Sequence, residues 1–349
     1  MGPGTKLRAF FGGTGRPSRV LRDMLEARVD RVPAGGTISW ATYYFRDEAL
    51  AGALLRARRR GVDVRVTLEG RPRLRHANDR VRALLADGLG HGLRTVAHRL
   101  PFHLHEKLYC FSHPRPVALL GSFNPSGNDP EDDAVIRVID DQDRGHNFLV
   151  EIAEPELATA LAARAVADRG GALARLRPPA SPPLRGEGIE VYRFPRWHSR
   201  ILLDRLGAVG GGAHIRVAAS HLGDPAAVAR LCALARAGAR VRIIAHDNRR
   251  RVPARVERAC LDAGIAFSRY RHPERLPMHD KFILVEDGVR RWSAFGSMNL
   301  TLSSRRLNDE LLAICTDPGL FDAFRQRWEE IAAEPATLPC PITPAAPGR

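Results

Sequence analysis

The chain is written twice, and this internal repeat limits its possible folds more than any other feature. In the first half TISWATYYF (37–45) reads as a buried strand and EALAGALLRARRRG (48–61) as a helix. VDVRVTLEG (62–70) follows as a second strand, with Asp63, Arg65 and Thr67 alternating against Val62, Val64, Val66 and Leu68. The second half repeats the order in HIRVAASHL (214–222), PAAVARLCALARAG (225–238) and ARVRIIAHD (239–247). Ile38 and Ile215, Gly61 and Gly238, and Val64 and Val241 each lie 177 residues apart. A helix over 76–88 answers 251–264, HEKLYCF (105–111) answers HDKFILV (279–285), and GSFN (121–124) answers GSMN (296–299). Each half is expected to close on an acid leading a strand, Asp133 before AVIRVI and Glu310 before LLAIC. Helices then follow over 154–169 and 318–334. Alternating strands and helices predict an α/β layered fold of two related halves facing each other about a pseudo-twofold axis. The expected boundaries are a first half over 1–170, a Pro/Gly-rich connector over 171–197, a second half over 198–334 and a flexible tail over 335–349.

Within the repeat, chemistry collects at matched positions. Alternate strand residues face the same side, so His105 projects with Lys107 and His279 with Lys281, while Ser122 and Asn124 match Ser297 and Asn299. Each half thus gathers an imidazole, an ammonium, a hydroxyl and an amide, a set that suits a bound oxyanion better than a metal. His-Leu-His at 103–105 could chelate an ion, but Pro277 stands where His103 would recur. Of 54 basic side chains, only Lys6, Lys107 and Lys281 are lysine. Two of these three lysines lie two residues after a histidine, where a compact ammonium can meet one phosphate oxygen.

H-x-K followed by G-S-x-N, present twice in one chain, resembles the phospholipase D superfamily, whose signature is H-x-K-x-x-x-x-D. The likeness spans roughly 30–165 and 198–334. The resemblance implies two halves sharing one phosphodiester site that needs neither metal nor cofactor. One histidine attacks phosphorus, the other protonates the leaving oxygen, and water or an alcohol releases the phosphoryl group. Carried over by motif, the histidines are His105 and His279, the phosphate lysines Lys107 and Lys281, and the amides Asn124 and Asn299. The carboxylates that orient the histidines fall on Asp133 and Glu310, and analogy favours His105 as nucleophile. The motif acid is replaced by Ser112 in the first half and by Glu286, with Asp287 next, in the second. Tyrosyl-DNA phosphodiesterases of the superfamily also lack this acid, so its loss does not by itself end catalysis.

A net charge of +15 favours an anionic partner: phospholipid at a membrane surface, or nucleic acid. Five cysteines without a C-x-x-C pair argue against a disulfide framework or a cysteine zinc site. With neither an apolar leader nor a spanning segment in the sequence, a cytoplasmic protein, peripheral to the membrane at most, is expected. Two motifs in one chain predict a monomer with an intrachain site. EVYRFPRWHSR (190–200) mixes Tyr192, Phe194 and Trp197 with arginine, fitting an anionic interface or a nucleic-acid strand, although packing of the aromatics onto the domain is the plainer expectation. RARRR (56–60) and NRRR (248–251) read as solvated faces. Headgroup cleavage or exchange on a phospholipid is the expected activity. A metal-independent nuclease or DNA-end-processing enzyme, and a weakened basic scaffold, are the alternatives.

Overall fold

The computed structural model describes residues 6–97, 102–127, 131–169, 178 and 181–340. The apolar runs of each half become one sheet. The first contains β1 (Leu7–Phe11), β2 (Thr37–Thr42), β3 (Asp63–Glu69), β4 (Leu93–Val96), β5 (Lys107–Phe111), β6 (Val117–Gly121) and β7 (Phe148–Ile152), in the order β1-β7-β6-β5-β2-β3-β4. The second contains β8 (Leu184–Gly186), β9 (Ile189–Phe194), β10 (His214–Ala219), β11 (Arg240–His246), β12 (Ala266–Tyr270), β13 (Lys281–Asp287), β14 (Arg290–Gly296), β15 (Glu310–Cys315) and β16 (Thr337–Pro339). Its order is β16-β12-β11-β10-β13-β14-β15-β9-β8. The shared order β7-β6-β5-β2-β3-β4 and β15-β14-β13-β10-β11-β12 is the sequence repeat in three dimensions. Within it, β2-β3-β4 and β10-β11-β12 pair parallel and the other ladders run antiparallel.

Matched helices begin at matched caps. Asp47 accepts from the Leu50 N–H to open α2 (Glu48–Arg59), and Asp224 accepts from the Ala226 N–H to open α7 (Pro225–Arg236). Among the described residues the remaining α-helices are α1 (Val20–Arg31), α3 (Asp79–Leu89), α4 (Asp133–Ile139), α5 (Pro155–Val166), α6 (Ile201–Gly207), α8 (Ala254–Asp262), α9 (Leu302–Arg306) and α10 (Pro318–Ala333). One apolar core crosses both halves, with Leu161 of α5 and Phe324 of α10 joining Leu108, Phe148, Phe282 and Phe295 from the two sheets. The Phe148 ring meets Phe282, Phe295 and Phe324 edge-on at centroid distances of 6.3, 6.2 and 5.1 Å. Burying these rings fixes the halves face to face.

Three expectations are corrected. AVIRVI is not a strand but most of α4, because Asp132 caps it (Oδ1 accepts from the Ala134 N–H at 2.7 Å) and both edges of β6 are already filled by β5 and β7. The segment expected as connector supplies β8 and β9 to the second sheet, where β9 pairs with β15, and buries Tyr192 and Phe194. Residues 171–177 and 179–180 of that segment lie outside the described residues. From the expected tail, Thr337–Pro339 pairs with β12 as β16, and 341–349 lie outside the described residues. Among the described residues no helix is long and apolar enough to cross a membrane.

Candidate active site

The segments entering β5 and β13 each cross to the other half before their strands begin. The His105 N–H donates to the Asp309 carbonyl (2.9 Å), and the His279 N–H donates to the His146 carbonyl (3.0 Å). These two bonds are pseudo-symmetric and place both imidazoles in one cleft. Each ring is then gripped by the residue following that carbonyl. His105 Nδ1 lies 2.9 and 3.0 Å from the two Glu310 oxygens, and His279 Nδ1 lies 2.7 Å from Asn147 Oδ1.

The serines of G-S-x-N secure the two orienting side chains. Ser297 Oγ donates to Glu310 Oε2 (2.5 Å) and Ser122 Oγ to Asn147 Oδ1 (3.3 Å), while each hydroxyl oxygen accepts from the next strand, through Leu311 N–H and Phe148 N–H. The glycines before them are forced by the same close approach, since a Cβ at Gly121 or Gly296 would stand 2.2 Å from the carbonyl oxygen of Phe148 or Leu311. Lys107 Nζ donates to its own half's His105 carbonyl and Lys281 Nζ to the His279 carbonyl, both at 2.7 Å. Each ammonium keeps two further donors. Asn124 Oδ1 accepts from the Tyr44 N–H at 3.4 Å, and Asn299 lies at the matching position on the cleft.

The electrostatics favour an anion. Burial pushes Lys107 down to about 7 against the pull of Glu310, and holds Lys281 well below the usual lysine range, helped by the Lys107 charge. His105 and His279 are likewise held well below the ordinary histidine range by burial and by the two lysines. Burial pushes Glu310 up to about 8, opposed by Lys107 and the Ser297 hydrogen bond. A negative charge placed among these groups relieves each of the cationic penalties at once. Among the described residues no group of three or more His, Cys, Asp or Glu side chains is placed to hold a metal ion. His103 and His105 instead pack edge-on against Tyr43, at 5.6 and 5.0 Å.

The predicted set assembles with two exceptions, Asp133 and Glu286. His105, Lys107, Ser122 and Asn124 converge with His279, Lys281, Ser297 and Asn299, and Glu310 joins them. Asp133 does not: it sits exposed on α4, and Asn147 occupies the place corresponding to Glu310. The misplacement follows from α4, which lengthens the first half between Asn124 and β7. Asn147 is found from the sequence only once GHNFLVEI (145–152) is aligned with NDELLAIC (308–315). Glu286 stands at the far end of β13, paired with Arg216 at 2.5 Å, and is a structural acid remote from the histidines. Ser112 accepts from the Thr37 N–H at 2.8 Å and needs no charge there. Nor is NRRR wholly a solvated face. Arg250 and Arg251 line the cleft, and Arg251 is buried against Asp140 at 3.2 Å. The cleft has a volume of about 1070 Å³.

A family model described as "Cardiolipin synthase, PLD-like domain" matches residues 33–152 and 211–332, which include both halves of this site. Among solved structures, phosphatidylserine synthase from Haemophilus influenzae Rd KW20 superposes with a TM-score of 0.68 at 12% identity, over 96% of this chain and 87% of that one. Polyphosphate kinase from Porphyromonas gingivalis gives a TM-score of 0.60 at 14% identity, over 94% of this chain, which spans 51% of that longer protein. Yeast tyrosyl-DNA phosphodiesterase gives 0.50 at 13% identity, over 88% and 89% of the two chains. At these identities the likeness is one of fold. A search of curated protein sequences gave no match.

Proposed function

This chain belongs to the cardiolipin synthase, phospholipase D-like domain family, and from that premise we propose that it cleaves or exchanges the headgroup of a phospholipid through a phosphohistidine. The observation that carries the reading is the unequal pair of grips in one cleft: a carboxylate on His105 and a neutral amide on His279. With Nδ1–H donated to Glu310, His105 presents the Nε2 lone pair to phosphorus, and the carboxylate stabilises the positive ring that forms. His279, held through Nδ1–H by an uncharged oxygen, is the more acidic imidazolium and the better proton donor. In the first step the His105 N–P bond forms and the P–O bond to the leaving group breaks. The leaving oxygen takes the His279 proton. In the second step His279 removes a proton from water or an alcohol, whose oxygen attacks phosphorus, and the N–P bond breaks. Lys107, Lys281, Asn124 and Asn299 receive the non-bridging oxygens and stabilise the charge that gathers there.

Three exposed apolar side chains, one lining the cleft and two close in sequence to residues of the site, support a lipid substrate. Val138 (51% exposed) lines the mouth, and Leu302 (48%) lies between Thr301 and Ser303, which also line it. Trp197 (74%) follows β9, whose last residue, Phe194, pairs with Glu310. Apolar tips beside arginines such as Arg200 suit the interface of an anionic bilayer, to which the chain binds peripherally as a single copy. The test is incubation with labelled phospholipid vesicles and, in parallel, labelled oligonucleotides, both in chelator. The expected result is headgroup release and an acid-labile phosphoryl group on His105, both lost in His105→Ala. Cleavage of oligonucleotides without action on vesicles would overturn the lipid assignment, and full activity in His279→Ala would overturn the shared site.

A further inference from the structure

The residue whose carbonyl accepts the His279 N–H carries a side chain that the chemistry described so far does not use. His146 is fully buried, and groups from three distant parts of the chain hold its ring. Nδ1 lies 2.7 Å from Arg327 Nη2, and Nε2 lies 3.2 Å from Glu334 Oε2. A guanidinium can only donate, so Nδ1 carries the lone pair and Nε2 the proton, which goes to Glu334. Tyr270 packs edge-on against the ring at 4.6 Å and donates its hydroxyl to the same Glu334 oxygen at 2.9 Å, with Thr14 Oγ1 3.2 Å from that hydroxyl. Arg327 Nη2 also donates to the Gly12 carbonyl at 2.7 Å. The next residue must be glycine: Gly13 has a φ of 106°, and a Cβ there would run into His146 Nδ1 and Arg327 Nη2.

The repeat shows what this network is for. His146 and Asp309, Asn147 and Glu310, Pro155 and Pro318, and Arg164 and Arg327 each lie 163 residues apart. In both halves the helix arginine reaches the residue whose carbonyl accepts the histidine N–H, Arg164 to Asp309 at 3.4 Å and Arg327 to His146 at 2.7 Å. The acids between histidine and lysine are treated differently. Glu106 takes Arg164 at 2.6 and 2.9 Å, whereas Asp280, one methylene shorter, is fully buried with both oxygens lacking a hydrogen-bond partner among the described residues. Arg327 is committed to the histidine and not to the strand acid. His146 and Asn147 then act as a two-point clamp on His279, the carbonyl holding its backbone at 3.0 Å and the amide oxygen holding its ring at 2.7 Å. The His146 N–H closes the same pairing by donating to the Pro277 carbonyl at 2.9 Å.

We propose that His146, held between Arg327 and Glu334, is a positioning residue that aims His279 at the leaving oxygen. This rests on the reading of His279 as proton donor and adds to it a group that never touches substrate. Proton transfer needs heavy atoms within about 2.6–3.2 Å, and a misplacement of about 1 Å costs about 100-fold. That cost falls only on a leaving oxygen that needs a proton. An alcohol such as a lipid headgroup departs with one, whereas 4-nitrophenolate departs without.

Single-turnover measurements on the full chain in chelator test this, comparing headgroup release from phosphatidylcholine vesicles with the first-turnover burst of 4-nitrophenolate from bis(4-nitrophenyl) phosphate. In His146→Leu, which offers Arg327 no acceptor, headgroup release should fall about 30- to 100-fold and the burst by no more than about threefold. His146→Asn, whose amide oxygen can accept from Arg327, should recover most of the loss. Glu334→Ala, a change at a partly exposed position just past α10, frees the ring from its other side and should move the same ratio by about fivefold, which serves where His146→Leu does not fold. Equal losses on both substrates, as a merely structural role would give, or no loss on either, overturn the proposal. Where wild type leaves vesicles untouched, an oligonucleotide, whose leaving group is also an alcohol, supplies the comparison, so the lipid reading fails while the positioning role is still measured. Hydrogen exchange measures the clamp without turnover. The His279 amide should exchange about tenfold faster in His146→Leu, and unchanged protection there overturns the proposal even where no phosphodiester is cleaved.

Discussion

His279 Nδ1 meets the amide oxygen of Asn147 at 2.7 Å, across the boundary between the halves and 132 residues away in sequence. Its pseudo-symmetric counterpart is His105 against the Glu310 carboxylate, 205 residues away. The fold is nearly symmetric and the two grips are not. A carboxylate in both places would raise both imidazoles alike, whereas one carboxylate and one amide set them apart, and the proposed roles of attacking base and proton donor rest on that difference.

Replacing Asn147 with Asp should therefore make His279 a weaker acid. A negative oxygen at Nδ1 stabilises the imidazolium, so the basic limb of the kcat–pH profile should move upward by about one unit. An unmoved limb would show that His279 is not the proton donor.

Anion affinity should fall as pH rises through neutrality. The Lys107 pKa is lowered to about 7, so above that pH a proton must be taken up before the ammonium can meet an anion. Glu310, raised to about 8, adds a repelling charge as it ionises. Sulfate, whose own charge is constant over this range, is the probe. Calorimetry from pH 6 to 9 should show weakening by up to about tenfold per pH unit above 7, and a flat or rising profile is incompatible with these groups holding the anion.

Substituting arginine for Lys107 should lower kcat by about 10- to 100-fold with little loss of fold. The ammonium is fully buried and already committed to the His105 carbonyl, which leaves no room for a guanidinium fork. Normal turnover by Lys107→Arg would undo the argument for lysine at this position.

Behind the site, Glu106 is fully buried and held by Arg164 (2.6 and 2.9 Å) and Arg169 (2.9 Å). Arg164→Ala strands part of that charge and should cost about 3 kcal/mol by urea unfolding, more than exposed pairs such as Arg80 with Glu48 contribute. Arg164 also reaches Asp309 at 3.4 Å, next to Glu310, so loss of kcat should accompany loss of stability.

Trp197→Ala should weaken binding to anionic vesicles about tenfold while leaving the unfolding midpoint unchanged, because the indole is largely exposed. Equal binding by wild type and variant would remove this residue from the membrane contact.

Much of this protein is legible in its sequence because repetition is a local property. The spacing of Ile38, Gly61 and Val64 against Ile215, Gly238 and Val241 marked two α/β halves. The paired H-x-K and G-S-x-N stretches marked the histidines, lysines, amides and serines of the cleft, since strand alternation and a glycine-forced approach place them together. What repetition does not encode is contact between the halves. Asp133 looked like the partner of Glu310 because AVIRVI has the composition of a strand, yet β6 has no free edge for it, and a capped helix forms instead. Arg251 looked like a solvated charge until Asp140, at the end of that inserted helix, came to meet it from the other half. The sequence by itself determined which side chains could handle a phosphoryl group. Only the tertiary structure decided that Asn147 rather than Asp133 grips His279, because each grip crosses between halves brought together by their buried apolar core.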